Sequence, residues 1–401
     1  MKITCVGGGP AGLYFAILAA RQGHDVTVLE RLPESEIYGW GVVFWDDLLG
    51  ELRARDAVTA EQIEAGAFSW VGQVVDVQGQ APVQLGRGGY AIGRRAMRDV
   101  LLARARSLGV DVRFEHPVDD VSQLTGHDLL VACDGVNSSV RRPYAGDLGT
   151  AVEHGANKYL WLGTDRVFSA FTFPFIRTPA GWIWAHAYAY DASTSTFIVE
   201  TTPEVWRGLG FDQLGTDATM RRLEELFGNY LQGHALRPQP GTGDTLTWLE
   251  FRRVTNERWH TGNVVLMGDA AHTTHFTIGS GTRLALEDAI ALADALHAHD
   301  TLEPALAAYG QRRATELRRA QRHARNSALW FEQIPRYANH DGGRFADLLD
   351  HRYSTFQRRL GPSAYLHLID AADRMPALAD PARHIIHRWR KRSESTPRRP
   401  G

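Results

Sequence analysis

Residues 268–289, GDAAHTTHFTIGSGTRLALEDA, bring together the residue types that hold an anion. The apolar run at 264–267 reads as a short buried strand, and Asp269 falls at its carboxyl end, where α/β folds collect their ligands. Gly279 and Gly281 present no side chain, so the backbone there can approach a flat or charged group closely. A helix starting near Gly281 turns its free N–H groups and the positive end of its dipole toward that loop. Alone, the stretch fits an anionic cofactor and an ordinary strand-to-helix turn equally well.

The start of the chain separates the two. Residues 2–6 form an apolar strand run that leads into Gly7-Gly8-Gly9-Pro10-Ala11-Gly12, and 13–20 follow helical spacing. The next strand, 25–29, ends in Glu30, where a dinucleotide fold places the carboxylate that accepts ribose hydroxyls. An acid at that position favours FAD or NAD over NADP. Gly39-Trp40-Gly41-Val42-Val43-Phe44 is a glycine-punctuated apolar loop, suited to packing on the core or to lining a planar cofactor. Arg94 and Arg98 share one face of a helix over 94–108 and can reach a phosphate or pair with surface acids. A further strand, 128–133, ends in Asp134-Gly135, shortly before Arg141.

Between these elements the texture changes. Helices are expected over 46–55 and 59–65, with strands over 69–77 and 82–85 belonging to a second sheet. From 158 to 200, aromatic and β-branched residues alternate as in antiparallel sheet. Trp182, Trp184, His186, Tyr188 and Tyr190 fall on one face, as a core wall or as the lining of a wet aromatic pocket. A helix over 216–232, a strand over 245–254 and helices from 303 complete the chain. The fold class is α/β: a Rossmann-like domain in three pieces, 1–68, 91–157 and 256–330, with an inserted antiparallel-sheet substrate domain, 69–90 and 158–255. A helical region with a basic tail, 331–401, closes it.

Composition narrows the partners. Lys and Arg total 44 against 46 Asp and Glu, a net charge of −2, so no global electrostatic case for nucleic acid exists, although 383–399 are locally basic. Cys5 and Cys133 sit in apolar strand runs, which excludes a disulfide framework and fits a reducing compartment. No apolar run approaches the roughly 20 residues that span a bilayer, and no signal peptide precedes the first strand. A cytoplasmic, soluble protein with no membrane partner and no metal is expected.

Gly7-x-Gly9-x-x-Gly12 with Glu30-Arg31, Asp134-Gly135 before Arg141, and Gly268-Asp269-Ala270-Ala271-His272 together resemble the three fingerprints of single-component FAD-dependent aromatic hydroxylases of the para-hydroxybenzoate hydroxylase type. Gly39-Trp40-Gly41-Val42-Val43, residues 157–161, residues 185–188 and residues 275–282 are similar to a smaller branch. It holds salicylyl-CoA 5-hydroxylases, the monooxygenase half of 2-aminobenzoyl-CoA monooxygenase/reductase, and the indole hydroxylase of violacein synthesis. Phe276 stands where the wider family has proline, and Arg283 where it has asparagine. The long reductase half of the bifunctional enzymes is absent from this sequence, which favours plain hydroxylation.

The resemblance implies an FAD-binding domain in which Gly7, Gly9, Pro10, Ala11 and Gly12 hold the pyrophosphate, Glu30 and Arg31 flank the adenosine ribose, and Arg94 takes the phosphate or ribityl region. Asp269 would hold the ribityl chain, and Gly279, Gly281 and Thr282 would face the N1/C2 edge of the flavin, which suits a reduced, anionic ring. Gly41, Val42 and Asp134 join the same set. Trp184, His186, Tyr188, His275 and Phe276 would contact the substrate, with His275, His186 or Tyr188 assisting deprotonation of a ring substituent. His272 would support the loop. NADH or NADPH supplies electrons and O2 is the co-substrate. The implied substrate is an aromatic acyl-CoA thioester, salicylyl-CoA giving 2,5-dihydroxybenzoyl-CoA, and the implied assembly is a monomer or homodimer. A free phenol or indole is the alternative substrate, with 2-aminobenzoyl-CoA behind it. Trp182-Ile183-Trp184 also resembles part of a flavin-halogenase motif, but Ala185-His186 breaks it and no lysine lies between Lys2 and Lys158. A flavin carrier without turnover is the remaining class. No phosphate contacts for coenzyme A are evident beyond the arginine-rich end.

Overall fold

Short apolar strands bounded by glycines build a six-stranded sheet in the order His260–Thr261, Val264–Leu266, Leu129–Ala132, Lys2–Val6, Asp25–Leu29, Asp111–Arg113. All pairings are parallel except that of His260–Thr261. Cys5 lies opposite Val28 on one side and Val131 on the other, and it is wholly buried. The chain leaves Lys2–Val6 through helix Pro10–Arg21 toward one side of the sheet, while Leu129–Ala132 and Val264–Leu266 sit on the other. That reversal opens a crevice at the carboxyl ends of the strands. Helices Pro10–Arg21 and Gly281–Ala298 pack on each other, and the long helix Leu302–Glu332 covers the second. The computed structural model describes residues 1–36, 39–86, 88–239 and 246–374; the basic stretch 383–399 lies outside them.

The second sheet runs Leu236–Arg237, Ala151–Thr164, Ser195–Thr201, Gly181–Ala189, Phe171–Thr178, Gln73–Val77, Val83–Leu85, with Leu249–Thr255 also paired to Ala151–Thr164. It is antiparallel apart from the pairing of Phe171–Thr178 with Gln73–Val77. The odd and even positions of Gly181–Ala189 serve different cores. Ile183, Ala185 and Ala187 pack under Phe197, Phe211 and Phe227, whereas Trp184 joins Phe331, Tyr337 and Phe345 of the helical C-terminal region.

Several local expectations are corrected. The strand expected over 69–77 is two, Phe68–Trp70 and Gln73–Val77, in different sheets; a Cβ on Gly72 between them would lie 3.0 Å from Leu85 O. The loop expected over 39–44 contains a strand, Gly41–Phe44, which joins Gly89–Gly93 and Phe68–Trp70 in a third small sheet. The helix expected over 216–232 breaks at Phe227 into Thr216–Leu226 and Gly228–Leu231. The long strand starts at Ala151, with a register shift between His154 and Lys158 that period-two reading does not reveal.

Candidate active site

Each glycine of the first turn answers a different steric demand. Gly7 has φ +113°, and a Cβ there would lie 2.3 Å from Cys133 O. At Gly12 a Cβ would lie 2.2 Å from Gly7 O and 2.7 Å from Cys133 Sγ, so the helix could not sit so close to its strand. Gly9 caps helix Pro10–Arg21, and a Cβ there would meet nothing within 4 Å. Gly9 therefore leaves open space at the helix N-terminus. The other loop repeats the division: Gly279 has φ +59° and packs on Val43, while Gly281, at the start of Gly281–Ala298, has open space. Two helix N-termini thus present bare backbone to one crevice. Thr282 is half-buried in the first turn of the second helix.

Glu30 accepts hydrogen bonds from the Gly8 N–H (2.7 Å) and the Leu32 N–H (2.9 Å), which fixes its carboxylate beside the glycine turn. Arg31 is exposed next to it. Ala11 is buried and packs on Gly268, pinning the two cradles together, with Pro10 at the first position of the helix. Asp134 Oδ2 accepts from the Ser139 N–H and hydroxyl, while its Oδ1 is buried without a protein partner. Gly41 is required by Tyr190, whose ring would stand 2.6 Å from a Cβ there. The Val42 side chain is buried in the core beneath the six-stranded sheet's helices, so the segment packs on the core.

Asp269 is open to solvent through the crevice yet walled by protein. That enclosure raises its pKa, and His272 and Arg94 oppose the shift. The Arg94 guanidinium stacks 4.5 Å over the Trp161 ring, its charge facing Asp269, Tyr188 and Tyr159. Beneath Asp269 lies a buried network that holds the turn. Asp288 accepts from the Gly268 N–H (2.9 Å), His272 Nε2 (2.8 Å) and Arg313 Nε (2.6 Å), and Arg313 also reaches Glu287 and Glu316. His272 therefore supports the loop from below.

The aromatic face of Gly181–Ala189 is corrected in part. Trp184 is fully enclosed and its indole N–H donates to Glu200 Oε2 (3.0 Å), so it belongs to the core rather than to a substrate contact. Tyr188 is 5% exposed and its hydroxyl donates to Gly41 O (2.9 Å), which makes it a strut for the Gly41 strand instead of an acid or base. His186 Nε2 lies 3.0 Å from Glu200 Oε2, and Asn157 Nδ2 donates to Oε1 (2.8 Å). Although burial opposes it, the His186 and Asn157 contacts hold Glu200 below the usual glutamate range. The ring of His186 meets Phe276 edge-on at 5.6 Å, and Tyr159 approaches Phe276 from another side at 4.8 Å. Tyr159 is half-exposed, and its pKa, raised to about 12 by burial, responds to Glu200, Asp269 and Arg94 alike. It stands between the two parts of the site.

His275 is held by a chain of polar contacts. Arg352 Nε donates to Ser327 Oγ (3.1 Å), the Ser327 and Thr277 hydroxyls share a hydrogen bond at 2.8 Å, and Thr277 Oγ1 lies 2.9 Å from His275 Nδ1. The Thr277 N–H points at the same nitrogen. That N–H favours Nδ1 as acceptor and places the proton on Nε2. Burial holds the pKa of His275 down to about 4. A neutral imidazole in this tautomer donates from Nε2. The depressed pKa also sets a sign for stability. Between pH 4 and 6.5 the unfolded chain binds more protons at this residue, so stability rises with pH across that window by at most about 3 kcal/mol. Urea titrations at pH 7 and pH 5 should show a smaller loss of stability at the lower pH in His275→Gln than in the parent; an equal loss would exonerate His275.

A family model described as an FAD binding domain matches residues 1–324. A salicyloyl-CoA 5-hydroxylase of Streptomyces sp is 39% identical over an alignment of 348 residues that covers 84% of this chain and 66% of that relative. A 3-hydroxy-4-methyl-anthranilyl-[aryl-carrier protein] 5-monooxygenase of Streptosporangium sibiricum is 38% identical over 84% of this chain and 90% of its own. The chain belongs to this FAD-binding monooxygenase family. A solved mutant of 2-methyl-3-hydroxypyridine-5-carboxylic acid oxygenase shares the fold, with a TM-score of 0.68 and 19% identity over 86% of this chain and 97% of that one.

Family membership implies FAD as cofactor, and the residues around the crevice fit it. Gly9 and Gly281 leave room where two helix N-termini converge, and Asp134 Oδ1 is a buried acceptor with no protein donor. For a family whose fingerprints are local, the missed residues are instructive. Glu200, Arg313 and Arg352 lie outside every motif, and Tyr159 and Asp288 lie within recognised stretches that gave them no role. A lone acid among the apolar residues of Ser195–Thr201 was the one available signal for Glu200. Among the described residues no helix is long and apolar enough to cross a membrane, and no cluster of metal-ligating side chains occurs.

Proposed function

We propose that the chain hydroxylates the aromatic ring of an acyl thioester, salicylyl-CoA in first place, with electrons from NADH or NADPH and oxygen from O2. FAD, when bound, supplies the oxygen-activating chemistry. One observation carries the reading: a single loop, residues 275–281, presents both an open helix N-terminus at Gly281 and an aromatic corner at Phe276. A cofactor edge and a substrate ring would then meet on the same loop.

The roles follow from the geometry. Gly7, Gly9, Gly12 and the helix behind them would hold the pyrophosphate, with Glu30 at the ribose and Asp134 Oδ1 nearby. Arg94 and Asp269 would bracket the middle of the cofactor, and Gly279, Gly281 and Thr282 its ring edge. Phe276 and Tyr159 would stack against the substrate and keep water from the reacting carbon. The Nε2–H of His275 would donate to the ring oxygen ortho to the acyl group, stabilising its anionic, electron-rich form. His186 and Glu200 hold the wall behind Phe276.

The test is anaerobic flavin reduction and aerobic NADH oxidation with salicylyl-CoA, 2-aminobenzoyl-CoA, free salicylate and indolic compounds, each product checked by mass for one added oxygen. The expected result is strong stimulation by an aromatic thioester alone. Equal stimulation by free salicylate or an indole would sink the thioester assignment, and no oxygenated product from any of them would sink the reading as a whole. An arginine-lined cavity beside the site adds support for the thioester.

A further inference from the structure

A cavity of about 350 Å³ opens between strand Leu249–Thr255, helix Leu302–Glu332 and helix Thr355–Leu360, lined by Arg253, Arg322, Arg325 and Arg358 with Asn326 and Thr355. Arg322 and Arg325 lie one helical turn apart, so both guanidinium groups reach the same opening. Arg253 is partly neutralised by Glu153 at 2.5 Å. Among the described residues Arg322, Arg325 and Arg358 form no ion pair, and all three are exposed. Four guanidinium groups around one cavity repel one another, and a single acid at the rim does not balance them. The positive field is felt next door: burial together with Arg319 and Arg322 holds His323 down to about 4.

This cavity shares its walls with the site. Asn326 donates to Tyr353 O (2.8 Å) and Thr355 Oγ1 (3.3 Å), which fixes the segment that carries Arg358. The next residue, Ser327, is the link that reaches Thr277 and through it His275. Arg253 lies two residues along its strand from Phe251, whose ring is 4.6 Å from that of His275. A ligand touching both regions is elongated, aromatic at one end and polyanionic at the other. Salicylate alone has one carboxylate and no use for four arginines, whereas a coenzyme A thioester carries a diphosphate and a 3′-phosphate at the end of a flexible arm. Guanidinium groups match phosphate oxygens in bidentate geometry.

We propose that this arginine-lined cavity receives the diphosphate and 3′-phosphate of a coenzyme A thioester, whose arm runs from it to the Phe276 loop. The proposal rests on the thioester reading above and places the nucleotide on the body of the protein, not on the arginine-rich end at 383–399.

The experiment uses FAD-loaded enzyme and two readouts. Binding of free coenzyme A is measured by calorimetry to the parent, to Arg322→Gln/Arg325→Gln, to Arg358→Gln, and to a chain ending at Trp389. The KM for salicylyl-CoA is then compared with that for the N-acetylcysteamine thioester of salicylate, which lacks the nucleotide. Coenzyme A should bind the parent in a salt-sensitive way and the double variant at least about tenfold more weakly. The ratio of the KM for the truncated thioester to that for salicylyl-CoA should fall toward one in the arginine variants. Retained FAD absorbance and an unshifted unfolding midpoint exclude misfolding, and Arg358→Gln provides an independent replacement. Equal binding to parent and variants, no binding to the parent, or loss only on removal of the tail would each overturn the proposal. Turnover of the truncated thioester in any of those cases leaves the thioester reading standing, so the two failures are distinguishable.

Discussion

Gly9→Ala should leave the protein folded and deprive it of FAD, whereas the same methyl at Gly7 or Gly12 should unfold the domain that binds it. Gly9 has φ −75° and ψ 178°, which alanine adopts freely, and its Cβ would meet no protein atom. The stability change expected at Gly9 is within about 1 kcal/mol, the scale of a weakened helix cap. The space a Cβ would occupy is the approach to the helix N-terminus, so the pyrophosphate would be pushed off its N–H donors. Losing two such charge-assisted bonds corresponds to about 100-fold in the FAD dissociation constant. At Gly7 and Gly12 the obstacle is backbone at 2.3 and 2.2 Å, which cannot move aside as a side-chain tip can. Those changes should cost about 3 kcal/mol or more. Urea midpoints of the apoproteins and fluorescence titration with FAD separate the two outcomes. Comparable destabilisation by all three would show that Gly9 does not face the cofactor.

Asp288→Asn should have the second large effect, at a residue that touches no ligand. The carboxylate is fully buried and stands between Arg313 and His272 while accepting from the Gly268 N–H. Removing its charge leaves Arg313, itself 2% exposed, to Glu287 and Glu316 at one edge. Breaking one partner of a buried pair costs about 3–5 kcal/mol, and the two remaining acids put the expectation near the lower figure. Because Gly268 begins the turn that carries Asp269, FAD affinity should fall with stability. Replacing both members, Asp288→Asn with Arg313→Met, should recover part of the loss, since no unpaired cation is then buried. A double variant no better than Asp288→Asn would contradict this account.

The two glycine cradles, Glu30 and Asp269 were legible because each depends on its immediate neighbours. A strand end, a glycine with open φ and a helix start lie within a dozen residues and announce themselves in order. Element boundaries followed wherever one periodicity persisted, as in helix Asp46–Arg55, and failed where a single glycine redirected the chain, as at Gly72. The histidines and aromatics were legible as a group and misread as individuals. Trp184, His186 and Tyr188 alternate along one strand, yet Trp184 and His186 share Glu200 whereas Tyr188 holds Gly41. Their partners lie on other strands, and cross-strand register is not written in either strand alone.

The sequence by itself determined that two glycine turns at strand ends each lead into a helix N-terminus, because glycine conformation and helix polarity are local properties. Only the tertiary structure decided which polar side chains remain available to a ligand. Arg352 reaches His275 through Ser327 and Thr277 from the C-terminal helices, and four arginines from three separate elements surround one cavity. Hydrogen-bond direction, tautomer and uncompensated charge are set by what surrounds a group once water is excluded, and that surrounding is assembled from residues far apart in the chain.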